Sequence, residues 1–129
     1  MEAISRDELK VILMFAFHVA KVDQEIAGLE RKILKRYMEL IGLTQEERME
    51  LMGSDKSLSH RLETLTSPEA KQLLVKTLCA VAHSDGVMHE REGDFIRKVN
   101  GQLGNAVDIQ PFEDWEMYEK EVLEQLGLN

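Results

Sequence analysis

Between Val11 and Val22, ten of twelve residues are apolar, and only His18 and Lys21 interrupt them. A surface helix needs one apolar stripe. A helix that is apolar on nearly every side is stable in water only when neighbours enclose it. The run from Val11 to Ala20 has roughly half of the ~20 residues that a membrane span requires, so the enclosing neighbours must be protein. A second stretch of the same kind runs from Leu73 to Ala82, with Lys76 and Thr77 as its only polar members. A chain of 129 residues, 43% of them apolar, provides one domain. Two central helices within one domain leave the remaining segments to cover them.

Those covering segments are bounded by capping signals. Ser5 and Glu8 form the S-x-x-E capping box, in which a hydroxyl and a carboxylate satisfy backbone N–H groups at a helix start, so the first central helix begins near Arg6. A second helix, about Gly28 to Ile41, carries Leu29, Ile33, Tyr37, Leu40 and Ile41 inward and stops at Gly42. Thr44 and Glu47 repeat the capping box for a short third helix ending at Gly53. Leu58, Leu62 and Leu65 mark a fourth. Ser67 before Pro68 opens the fifth, the second central helix, because proline at the first helical position loses no needed N–H. A sixth spans about Glu90 to Leu103 and ends at Gly104. Pro111 opens a seventh, with Phe112, Trp115, Tyr118, Val122 and Leu126 inward and Glu113, Asp114, Glu116, Glu119, Glu121 and Glu124 outward. No segment alternates as a strand does. The expected fold is all-α, a compact bundle of about seven helices around two buried central ones.

Charge limits the partners. Sixteen Lys and Arg face 24 Asp and Glu, and the net charge of −8 repels phosphate backbones and anionic lipid surfaces. Nucleic acid is therefore not an expected partner, and neither is membrane insertion. The single cysteine, Cys79, can form no intramolecular disulfide and no thiolate zinc site, which points to a reducing, cytoplasmic setting.

The two central helices end in related text. Val19, Ala20, Asp23 and Glu30 recur 62 positions later as Val81, Ala82, Asp85 and Glu92, and Ile26, Ile33 and Leu34 match the apolar Met88, Phe95 and Ile96. Four identities in sixteen positions exceed the roughly one expected by chance. We read an internal duplication. The single domain 1–129 then comprises repeat one at about 5–53, a connecting helix at about 54–66 and repeat two at about 67–126, the repeats being pseudo-twofold related.

The segment Ala82, His83, Ser84, Asp85, Gly86, Val87, Met88 through Glu92, with its weaker copy Ala20, Lys21, Val22, Asp23, Gln24, Glu25, Ile26 through Glu30, resembles the tellurite-resistance TerB-like family. That family includes the N-terminal domain of DjlA-type co-chaperones. Its pattern is Ala-x-x-Asp-Gly-x-(apolar)-x-x-x-Glu, and the first copy departs from it with Gln24 in place of glycine. The resemblance covers about residues 5 to 126 and implies a seven-helix bundle with related halves, an acidic surface and a link to metal and stress responses. The sequence has neither a His-Pro-Asp tripeptide nor a membrane anchor, so co-chaperone activity is not carried over.

The repeated carboxylates Asp85 and Glu92, with Asp23 and Glu30 in the first copy, are candidate ligands of a divalent cation. An EF-hand is excluded, because taking Glu92 as the twelfth loop residue puts Val81 and His83 at positions one and three, and Val19 and Lys21 occupy those places in the first copy. The bland reading is that Asp23 and Asp85 bind turn amides while Glu30 and Glu92 occupy the third helical position of half-complete capping boxes. His83 and His89 crowd the same corner and would suit a transition metal, although Lys21 and Ala27 replace them in the first copy. Cys79 and His83, four residues apart, would start a thiol and base pair, but without an orienting third group. Cys79 reads instead as a small buried hydrophobe, and His18 as a core or boundary histidine. Met49 and Met52 fit core packing, with an adaptable contact surface as the alternative.

Phosphate loops, nucleophile elbows and H-E-x-x-H are absent. The expectation is a non-enzymatic, stress-associated interaction or sensing module, with a divalent cation at the Asp85 to Glu92 corner as candidate ligand. The alternative is a metal-independent helical adaptor that binds a protein partner through a groove or its acidic face. The partner's identity and the oligomeric state stay open.

Overall fold

The computed structural model describes residues 4–21, 28–53, 61–84 and 90–126. Among them are six α-helices: α1 (Arg6–Lys21), α2 (Gly28–Ile41), α3 (Gln45–Gly53), α4 (Pro68–His83), α5 (Glu90–Gln102) and α6 (Glu116–Gln125). Single 3-10 turns occur at Leu62–Thr64 and Phe112–Asp114, and the described residues hold no strand. The all-α expectation holds.

α1 and α4 are the enclosed helices. Leu73, Leu74, Val75, Leu78, Cys79, Ala80 and Val81 of α4 are fully or almost fully buried, as are Ile12, Leu13, Phe15, Ala16 and Val19 of α1. α4 lies chiefly against α1 and α6, with α5 and α2 also touching it. α1 is covered in turn by α2, α3 and α5. This is what two rods apolar on every side require.

The capping boxes form as the spacing predicts. Ser5 Oγ accepts from Glu8 N–H at 3.2 Å, and Glu8 Oε1 accepts from Ser5 N–H at 2.9 Å. Thr44 and Glu47 exchange the same two bonds at 3.1 and 2.9 Å, and Ser67 Oγ accepts from Ala70 N–H at 3.1 Å. Two carboxylates also act at long range. Glu8 Oε2, on a side chain only 5% exposed, accepts from Thr66 N–H at 3.0 Å and so ties the start of α1 to the entry of α4. Burial would raise the Glu8 pKa, but the amides of Ser5, Thr66 and Ser67 outweigh it and hold the group below its ordinary value. Glu47 pairs with Arg6 at 2.6 Å, and the Arg6 hydrogen bond, with the Thr44 amide, draws its pKa down to about 2. Arg6 also donates to the carbonyls of Ile41 and Gly42, satisfying the end of α2.

Three of the four helix boundaries in the two pairs repeat with one displacement. Arg6 and Pro68, Lys21 and His83, and Gly28 and Glu90 each bound paired helices 62 positions apart. So do the N-cap hydroxyls of Ser5 and Ser67. Buried positions follow the same register, with Val11, Ile12, Leu13, Ala16 and Val19 answered by Leu73, Leu74, Val75, Leu78 and Val81. α2 and α5 both close with the Schellman arrangement. Leu43 N–H reaches Met38 O and Gly42 N–H reaches Glu39 O, while Asn105 N–H reaches Asn100 O and Gly104 N–H reaches Gly101 O. Gly42 and Gly104, again 62 apart, take φ of 78° and 75°. A Cβ at either would meet nothing within 4 Å, so the penalty of substitution is backbone strain alone. Gly42→Ala and Gly104→Ala are each expected to lower stability by about 1 kcal/mol, and by similar amounts, in urea titrations.

One sequence expectation is trimmed and one is corrected. Most of the expected fourth helix lies outside the described residues; Arg61 is helical, a 3-10 turn follows at Leu62–Thr64, and Leu65 then turns extended with ψ 103°. The cause lies just ahead, because Pro68 forces Ser67 into extended backbone at φ −96°, ψ 147°. Leu58 lies outside the described residues. The last helix starts not at Pro111 but at Glu116. Pro111 is extended with ψ 150°, and Trp115 Nε1–H donates to Gln110 O at 2.7 Å while Tyr118 Oη accepts from Gln110 N–H at 3.1 Å, fastening the loop before the helix begins.

Candidate functional site

Of the six residues predicted to ligate a cation, Asp23, Asp85 and His89 lie outside the described residues. Glu30 is the third residue of α2, and Glu92 is the third residue of α5 and 1% exposed. A carboxylate in the first helical turn faces the positive end of the helix dipole, so Glu92 occupies a favourable position for a negative charge. His83 closes α4. Its Nδ1 lies 2.5 Å from Oε2 of Glu119 on α6, and its ring meets Phe112 with centroids 5.0 Å apart. Among the described residues, no three His, Cys, Asp or Glu side chains converge where a metal ion could sit.

The His83–Glu119 pair was not visible in the sequence. It is accompanied by an ion pair between Lys76 and Glu121 at 2.8 Å, two helical turns back along α4. Two carboxylates expected on a purely solvated face therefore bridge α6 to a central helix. Each is partly exposed, so the pairs contribute modestly, about 0.2–1 kcal/mol, and serve to fix the register of α6.

Cys79 is completely buried, and desolvation pushes its thiol up to about 12, which leaves almost no thiolate at neutral pH. Its partner in the proposed thiol and base pair, His83, is turned to Glu119. His18 is exposed, with its ring 4.7 Å from that of Phe95, so it sits at the boundary of the core. Met49 is 61% exposed, which overturns the core reading for that residue.

A further feature lies between α2 and α6. Tyr37 is fully buried, and its hydroxyl has no hydrogen-bond partner among the described residues. Burial and the charge of Glu119 raise its pKa, while Arg36 opposes the rise. Both charged residues line an open groove with Tyr37. Periodicity placed Tyr37 on an inward face, but nothing in the sequence announced that its hydroxyl would be unsatisfied there.

No helix among the described residues is long and apolar enough to cross a membrane. Compared with known proteins, the chain matches one family model, described as Tellurite resistance protein TerB, over residues 52–108, which include α4, α5 and the loop that follows. Neither a curated protein nor a solved structure matches it.

Proposed function

The TerB match supports a TerB-like family for this chain, a tellurite-resistance-associated helical domain, and on that premise we propose that it is a cytoplasmic, non-enzymatic, stress-associated sensing module built from two duplicated helix pairs. In this reading the halves are related by a pseudo-twofold axis, and a divalent cation binds at the Asp85 to Glu92 corner, with the Asp23 to Glu30 corner as its weaker counterpart. The observation that supports the reading is the common displacement of 62 positions between both ends of α1 and α4 and between the starts of α2 and α5. In this reading the same displacement relates Asp23 to Asp85 and Glu30 to Glu92 in the sequence.

The mechanism is local. A cation bridging the corner to the covering helix stabilises one arrangement of the helix pair over another, and only that difference in affinity is transmitted to a partner. Calcium, magnesium, zinc and manganese titrated calorimetrically into the metal-free chain are expected to release or absorb heat for at least one ion, and Asp85→Ala to abolish it. The same ion should raise the thermal midpoint, by an amount equivalent to about 2.7 kcal/mol at a hundredfold excess over Kd. Absence of heat at millimolar metal sinks the cation reading. What then stands is the alternative, a metal-independent adaptor.

A further inference from the structure

We propose that the groove between α2 and α6 is a docking site for an acidic amphipathic segment of a partner protein. The proposal rests on the interaction-module part of the reading above and needs no cation.

Charge carries the argument first. This chain has eight more acids than bases, so a cluster of cations with no carboxylate partner is a local departure from its overall charge. Arg6, Lys10, Lys76 and Arg97 each pair with a carboxylate. Lys32, Lys35 and Arg36 are exposed on successive turns of α2, line the groove, and make no ion pair among the described residues. Two carboxylates share the lining: Glu119 is already held by His83, and Glu39 stands exposed one turn beyond Lys35 and Arg36. Three cations against these two leave the wall net positive within a molecule that is net negative.

The floor then selects the kind of anion. Ile33, Leu40 and Leu123 are half-buried and pack on the core, so they present an apolar strip beneath the cations. The groove is open and encloses about 730 Å³, the scale of a peptide side-chain anchor with its neighbours. A segment with carboxylates on one side and aliphatic groups on the other matches both surfaces.

The hydroxyl of Tyr37 gives the third point. A buried donor without an acceptor destabilises the free protein and is satisfied by a bound oxygen. Tyr37 lines the groove beside Arg36 and Glu119 with its hydroxyl enclosed, so a carbonyl or carboxylate oxygen of the bound segment reaches it once those flexible side chains part.

The test is fluorescence polarisation on the full chain in the presence of chelator. The probe is a fluorescein-labelled helical peptide with Glu on one face and Leu at i, i+3, i+4 and i+7. Two controls replace Glu by Lys or Leu by Ser. Micromolar binding is expected for the Glu–Leu peptide alone. It should weaken at least about tenfold in the double variant Lys35→Gln, Arg36→Gln, whose exposed positions leave the fold intact by circular dichroism, and about fivefold in Tyr37→Phe. No binding up to millimolar peptide, equal binding of the Glu–Ser control, or indifference to the charge substitutions overturns the proposal. Displacement by inorganic phosphate at the peptide's own affinity does so as well, since it marks a small-anion site. Self-association at assay concentration, seen by sedimentation and lost in the double variant, assigns the groove to a second copy and likewise overturns it. Because chelator is present throughout, failure here leaves the cation titration as an independent result.

Discussion

Phe15→Ala is expected to lower the stability of the folded chain by about 3–5 kcal/mol, a large part of what a domain of this size possesses. Phe15 is 1% exposed, in the middle of α1, and its ring stacks on that of Phe95 with centroids 6.3 Å apart. Truncation removes the transfer free energy of the ring and leaves a void. Neighbours on both sides along α1, Met14 and Ala16, are themselves enclosed, so the site has little freedom to collapse. Urea denaturation read by far-ultraviolet circular dichroism measures the change. Met49→Ala, on an exposed side chain, is the control and should stay within about 0.5 kcal/mol of the parent. Comparable losses in the two variants would refute the central placement of α1.

The second large effect is expected from Glu8→Ala. One carboxylate there accepts from Ser5 N–H and Thr66 N–H, and its removal leaves a helix start and a distant chain segment without their acceptor. Charge-assisted bonds of this kind, together with loss of the capping box, correspond to about 2–4 kcal/mol. The effect depends on pH in a defined direction. The folded-state pKa of Glu8 lies below the ordinary 4.5, because the amides around it favour the charged form more than burial disfavours it. Its contribution is therefore complete above that ordinary value and is lost as pH falls through it toward the lower folded value. Stability of the parent should decline across that acidic window more steeply than that of Glu8→Ala. Parallel curves would show that the carboxylate is not held as described.

What was legible in the sequence was local. Ser5 with Glu8, Thr44 with Glu47, Ser67 before Pro68, and the glycines at 42 and 104 act on groups within a few residues of themselves, so the text alone discloses them. The two central helices were equally legible, because residues apolar on every side admit no exposed placement. The failures involve competition between neighbours or contacts at long range. The helix marked by Leu58, Leu62 and Leu65 lies mostly outside the described residues. Its visible end, a 3-10 turn at Leu62–Thr64, gives way to extended backbone ahead of Pro68, so among the described residues the spacing of Leu62 and Leu65 overruns it by its last residues only. Pro111 looks like a helix start, yet Trp115 and Tyr118 fasten Gln110 in an extended approach. The pairing of His83 with Glu119 spans 36 residues, and no periodicity encodes it. For the candidate site, residue types and spacing singled out the carboxylates at 85 and 92 as candidates, and of the two only Glu92 lies among the described residues. The unsatisfied Tyr37 hydroxyl became apparent only once α2 and α6 were packed.

The position of α4 has a consequence for how the chain can be divided. It is sandwiched between α1, from early in the sequence, and α6, from its end. A fragment lacking either would leave an oily flank of α4 wet and would aggregate or pair with its own kind. The described helices are therefore expected to melt together, in a single cooperative transition, rather than in separable portions.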